Sequence, residues 1–186
     1  DVTVDATADG LIVAVTGSVG IAKGGESGFG GAGTVSINLL ENTLEAGIID
    51  TVVTAASTGN VTVDADDSTG IYSFAGAFAA GKSAGLGGAV AVNSLNNSVT
   101  ATIDGSTLDT TGNVSAVAKE TGTVVTVAVA GAGSEKLAIA GSVAINFFDN
   151  DIAVQVIDSV ITAGAVAFTA QDKTTSVAAA GGIAIS

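Results

Sequence analysis

Six residue types are missing from this sequence: cysteine, proline, methionine, tryptophan, histidine and arginine. Without cysteine there is no disulfide, no thiolate nucleophile and no soft metal ligand, and the redox compartment stays open. Without histidine the side chain that most often serves as a general base near neutral pH is gone. Cationic charge is scarce too, with five lysines against 18 acidic residues and a net charge of −13. That balance argues against nucleic acid, whose phosphates need Lys or Arg, and against anionic membranes. It suits solvation, keeping long assemblies soluble and discouraging side-by-side clumping. The lack of proline is what a ladder engaging every backbone N–H requires.

Aromatics are few, at 4%, although hydrophobic residues reach 47%. The apolar content is therefore Ala, Val and Ile, which suits tightly spaced β-structure better than a globular core of large side chains. Long uninterrupted apolar runs are lacking as well. Segments 124–132 and 137–145 are short and glycine-punctuated, so no transmembrane helix is expected. Asp1 opens directly on the strand-like Val2-Thr3-Val4-Asp5-Ala6, with no signal-peptide pattern.

What is present is one recurring phrase, Gly-x-Val-x-apolar. It begins at Gly33, Gly59, Gly88, Gly112, Gly141 and Gly164, giving a mean period of about 26 residues, in the range of stacked repeats. The phrases pair into a longer unit of about 54 residues through a second marker, Asn-x-x-x-Asn, at Asn38/Asn42, Asn93/Asn97 and Asn146/Asn150. Downstream of each comes Ile-Asp-x, at Ile49-Asp50-Thr51, Ile103-Asp104-Gly105 and Ile157-Asp158-Ser159. Between the markers the period is two: Val61, Val63 and Ala65 alternate with Asn60, Thr62 and Asp64. One face is apolar and the other small or hydroxylated, as in a half-buried strand, and helical spacing fails almost everywhere.

The expected fold is all-β: a right-handed parallel β-helix (β-solenoid) of about 26 residues per coil, three strands and corners each, in about seven coils. Stacked at the sheet spacing, seven coils make a rod of about 35 Å with the phrase valines in an inward column, and the opening glycines shape corners. The alternative is an antiparallel β hairpin array with tips at Gly24-Gly25, Lys82-Ser83 and Glu135-Lys136. Residues 1–186 read as one solenoid segment of a longer array, with long repeats at about 31–86, 87–140 and 141–186 and a partial repeat at 1–30. Neither end shows a capping repeat, which implies a piece of a longer array or ends that meet in a filament. Two coils per long repeat place Asn38 and Asn93 about 9.6 Å apart, so the asparagines are read as turn formers rather than a ladder.

No catalytic, cofactor-binding or metal residue is expected, and the chain reads as not an enzyme. Lys82-Ser83 carry no supporting signature for a Ser–Lys pair. Carboxylate pairs serve glycoside hydrolysis, but such sites bring Arg, His or aromatic platforms, and here there is only Tyr72. Asp64-Ala65-Asp66-Asp67 and Asp149-Asn150-Asp151 cluster the hard oxygen ligands that calcium prefers, yet match no calcium loop and read as solvated corners. Segment 24–31 is glycine-rich but lacks the Gly-Lys-[Ser/Thr] and helix of a phosphate loop. A threonine column for ice binding is broken: Thr51, Thr54 and Thr58 are only partly matched by Thr107, Thr110 and Thr111, then by Ser159 and Thr162.

Three segments together, Gly87-Gly88-Ala89-Val90-Ala91-Val92-Asn93, Ala101-Thr102-Ile103-Asp104-Gly105-Ser106-Thr107-Leu108 and Gly112-Asn113-Val114, resemble the repeats of filamentous haemagglutinin and leukotoxin-like filamentous adhesins of bacteria. The resemblance implies a right-handed β-helix in an exported, cell-surface shaft, and supplies no catalytic residues. The functional expectation is a structural shaft segment of an extracellular or cell-surface fibre, its partners being neighbouring repeats or other copies end to end, with no nucleic acid and no membrane insertion. The alternatives are a self-assembling filament subunit or a solenoid module that binds a host receptor or glycan.

Overall fold

A computed structural model describes residues 1–23, 27–54 and 58–186, and it is all β. The first turn comprises β1 (Val2–Ile21), β2 (Phe29–Ile49) and β3 (Val52–Thr54). The second comprises β4 (Val61–Ala80), β5 (Ala84–Asp104) and β6 (Thr107–Asp109). In the third, β7 (Asn113–Gly133) is followed by β8 (Leu137–Phe148) and β9 (Asp151–Ile157), which together replace one long strand, and by β10 (Val160–Thr162). β11 (Ala165–Asp172) and β12 (Thr175–Ile185) begin a fourth turn.

Every strand pairing among the described residues is parallel and joins equivalent strands of successive turns. Sheet A stacks β1, β4, β7 and then β11 with β12; sheet B stacks β2, β5 and then β8 with β9; the narrow sheet C stacks β3, β6 and β10. The chain is a parallel β-solenoid.

The coil is twice as long as the phrase suggests. Val61 pairs with Val114 and Ala84 with Leu137, both 53 residues on, while Val2 pairs with Val61. There are three turns and the start of a fourth, not seven coils, and the rise from β1 to β11 is about 14 Å. The cause is strand length: the first two turns each have two strands of 20 or 21 residues and a three-residue closure, rather than three short strands, and the third differs only in splitting its second long strand into β8 and β9. The glycine phrases therefore alternate between two sheets. Gly33, Gly88 and Gly141 form one column inside sheet B, and Gly112 and Gly164 sit at corners before sheet A strands.

The hairpin-array alternative fails on pairing. Lys82-Ser83 and Glu135-Lys136 do lie where the chain reverses between long arms, but the arms bond to the turns above and below, not to each other. Gly24 and Gly25 lie outside the described residues.

Along each arm the interior changes character. At the root, near sheet C, Val61, Val63, Val99, Ile103, Leu108 and Val114 are fully buried in the main core. Toward the tip sheets A and B approach until only small side chains fit between them, chiefly Ala75, Ala77, Ala128 and Ala130 against Ala89 and Ala91, with Ser18, Thr34 and Ser142 in the same layers. Nearer the tip some positions in the first turn do not admit even a methyl group: a Cβ on Gly20 would strike the Gly31 carbonyl, and one on Gly30 the Ala80 carbonyl. We call this thin half the blade.

The blade overturns the expected valine column. Val61 and Val114 are buried, but Val35, 61% exposed, and Val143, 47% exposed, face outward with Val90 between them. The inward neighbours are Ser36, Ala91 and Ala144, because a valine does not fit between the approaching sheets.

Candidate functional site

With one turn per long repeat, the marker asparagines become adjacent rungs. Asn38 pairs with Asn93 and Asn93 with Asn146 in sheet B, all on the inward face. Asn38 Nδ2 donates to Asn93 Oδ1 at 2.7 Å, and Asn93 Nδ2 to Asn146 Oδ1 at 3.2 Å. The ladder is tied across the interior to sheet A, where Thr126 Oγ1 bonds both Asn93 and Asn146, and Asn146 Nδ2 donates to Ser176 Oγ at 3.1 Å. One layer toward the tip, Ser36 and Ser73 hydroxyls meet at 3.2 Å. The asparagines are thus an internal ladder, correcting their reading as turn formers, which followed from halving the coil.

Four residues toward the root a second polar layer crosses the core. Asn42 and Asn97 on sheet B, and Asn150 in the break between β8 and β9, face the column Asp67, Glu120 and Asp172 on sheet A. Asn42 Nδ2 donates to Asp67 Oδ1 at 3.0 Å, Asn97 Nδ2 to Glu120 Oε1 at 2.8 Å, and Thr69 Oγ1 to the same oxygen at 3.1 Å. Asp67 and Glu120 are both 0% exposed. Burial first, and then the hydrogen bond with Asp67, push Glu120 up to about 7, against the opposing pull of the Asn97 and Thr69 donors. Asp67 Oδ2 and Glu120 Oε2 have no other hydrogen-bond partner. One proton shared between the two carboxyls would satisfy both oxygens and remove one buried charge. The pair meets solvent nowhere, so a substrate does not reach it; its chemistry is that of a buried titrating joint.

Asp67 was visible in the sequence only as part of an acidic run. The run is split by the strand: Ala65 and Asp67 point in with Val61 and Val63, while Asp64 and Asp66 point out. Asp66 forms an ion pair with Lys119 at 2.8 Å, which raises Lys119; Asp64 is raised by partial burial, then by Asp5 and Asp66. Asp149, in the break between β8 and β9, and Asp151, at the start of β9, are both exposed. Among the described residues no three acidic groups converge to hold a metal ion.

Sheet C carries no flat threonine array, because Thr54 stacks on Asp109, which stacks on Thr162. At the corner before it the inter-turn bonds are hydroxyl-mediated: Thr51 N donates to Ser106 Oγ at 3.1 Å and Ser106 N to Ser159 Oγ at 3.0 Å. Lys82 and Ser83 sit at a blade tip, where Ser83 N donates to the Gly28 carbonyl at 2.9 Å.

The least expected surface is the outside of the blade. Tyr72, Phe74 and Phe78 project from β4 while the interior beneath them holds serine and alanine. The signal was in the sequence: from residue 72 to 78 the aromatic side chains Tyr72, Phe74 and Phe78 occupy even positions and the odd ones hold only Ser73, Ala75 and Ala77, whereas in segment 61–65 the large apolar residues are at odd positions. No helix among the described residues is long and apolar enough to cross a membrane. No protein-family model, curated protein or solved structure matches this chain.

Proposed function

We infer that the chain is a shaft segment of an extracellular or cell-surface fibre, of the kind found in filamentous adhesins, with a mechanical rather than a chemical role. The observation that carries this reading is the continuous axial bonding: backbone ladders in three sheets, reinforced inside by Asn38–Asn93–Asn146 and at a corner by Thr51–Ser106–Ser159. All of these bonds run from turn to turn, so tension along the rod is spread over the width of each coil. Small inward residues let the sheets close up, which stiffens the cross-section. The polar layers fix register, since a one-residue slip would drive Asn93 outward and bring an outward side chain into the blade.

Negative-stain electron microscopy of a chain carrying additional repeats, combined with glycan-array and cell-binding assays, tests the reading. Straight rods that lengthen by about 4.8 Å per added repeat and bind no glycan are expected. Compact particles, or saturable glycan binding by the isolated segment, would replace it with the receptor-binding alternative.

A further inference from the structure

We propose that the blade face of sheet A docks a second copy of this chain, face to face, with the strands running tip to root. Middle rungs decide whether the face is truly open, because end rungs are exposed by position alone. On β4, which is flanked by β1 and β7, Tyr72 is 43% exposed, Phe74 41% and Phe78 48%. Six outward positions recur on each of four rungs, and glycines, aliphatics and these aromatics fill nearly all of them. That matches the roughly 20–30 residues a side of a stable interface, whereas monomeric proteins seldom leave so large an apolar patch bare.

The face is complementary to itself. Its midpoint on β1 is Thr16, in register with Ala75 on β4. Turning a second copy end for end about that midpoint sets position 74 against 76 and 72 against 78. Phe74 lies over Gly76 of its own strand, so the two Phe74 rings then meet beside the groove lined by Gly17, Phe78 and Val129, and Phe78 meets Tyr72. The same superposition sets Lys23, at the tip, against Asp9, at the edge of the polar root, both exposed. Tip-to-tip packing about a two-fold would instead reverse the order of the rungs and set Asp9 against Lys173, its equivalent in the fourth turn. Both operations are closed two-folds, and Lys23 is paired only in the tip-to-root one, so substitution of Lys23 distinguishes them. A lipid bilayer fits less well, since any solenoid keeps two open strand edges whose N–H and C=O groups would lie unpaired in hydrocarbon.

Sedimentation velocity on the 186-residue chain across a concentration series tests this, with neutral phosphatidylcholine vesicle flotation run in parallel. A monomer–dimer equilibrium is expected, at least tenfold weaker in Phe78→Lys, with unchanged far-UV circular dichroism because Phe78 faces outward. Lys23→Glu should weaken dimerisation and Lys23→Glu with Asp9→Lys should restore it. Tyr72 is the chain's one tyrosine and there is no tryptophan, so acrylamide quenching of its emission should fall as the dimer forms. A chain monomeric at every concentration, a dimer indifferent to Phe78→Lys, or flotation with vesicles that Phe78→Lys abolishes would each overturn the proposal.

Discussion

Asn97 Nδ2 donates to Glu120 Oε1 across 2.8 Å in the middle of the core, joining sheets B and A at a point where neither residue touches solvent. The bond holds Glu120 beside Asp67, and a proton held between those two carboxyls would give the fold a pH dependence.

Glu120 ordinarily titrates near 4.5 and in the fold near about 7. Below the lower value both folded and unfolded chains are protonated there and the fold is unpenalised. Between the two values only the folded state keeps the proton, so stability falls as pH rises through that window, by on the order of 3 kcal/mol. Thermal melts of the native chain should therefore show a lower midpoint near neutrality than in mild acid. Glu120→Gln, whose amide can donate to Asp67, should flatten that slope and raise the midpoint at pH 8. Asp64 acts in the same direction in both proteins, so the difference between them isolates Glu120. An equal slope in the variant would rule out the shared proton.

Asn93 is the central rung of the ladder, bonded to Asn38, Asn146 and Thr126. Asn93→Ala removes the acceptor of the Asn38 amide and opens a gap in a closely packed layer, a loss of about 2–3 kcal/mol in chemical denaturation. A loss near zero would mean that the ladder is decorative.

The two valine columns should respond oppositely to charge. Val63, fully buried at the root, tolerates no carboxylate, and Val63→Asp should prevent folding or lower the midpoint severely. Val143 faces outward on the blade, and Val143→Asp should cost less than about 1 kcal/mol. Comparable losses at both sites would refute the inverted blade.

Pulling a tandem array from its ends should release one coil at a time. A coil of 53 residues yields about 180 Å of extended chain, so force–extension traces should step by that length. Steps of half the size would restore the shorter coil.

The parallel stack was legible in the sequence because like positions lie over like, and the match of Val2-Thr3-Val4 to Val61-Thr62-Val63 is a true register pair. The coil length was not legible, because both long arms face the same narrow core and so select the same alternating phrase. Val35 and Val61 look equivalent in a list of residues; only the distance between the sheets, set by distant glycines and alanines, turns one out and the other in. The Ile-Asp marker slips for a related reason. Ile48, not Ile49, stacks on Ile103, which brings Asp50 over Gly105 and Gly105 under Asp158. These three residues share a left-handed backbone, with φ of 49°, 56° and 46°, that aspartate tolerates and glycine prefers. The second-copy face was hidden as well, since a net charge of −13 says nothing about where the charges are not.

Seven residues separate β1 from β2, but three separate β4 from β5 and three separate β7 from β8. The strands beyond keep their partners in spite of that difference. Each reversal between the arms is therefore a permissive port: foreign peptides grafted between Lys82 and Ser83 would be displayed in a row at one-rung intervals, leaving the scaffold behind them intact.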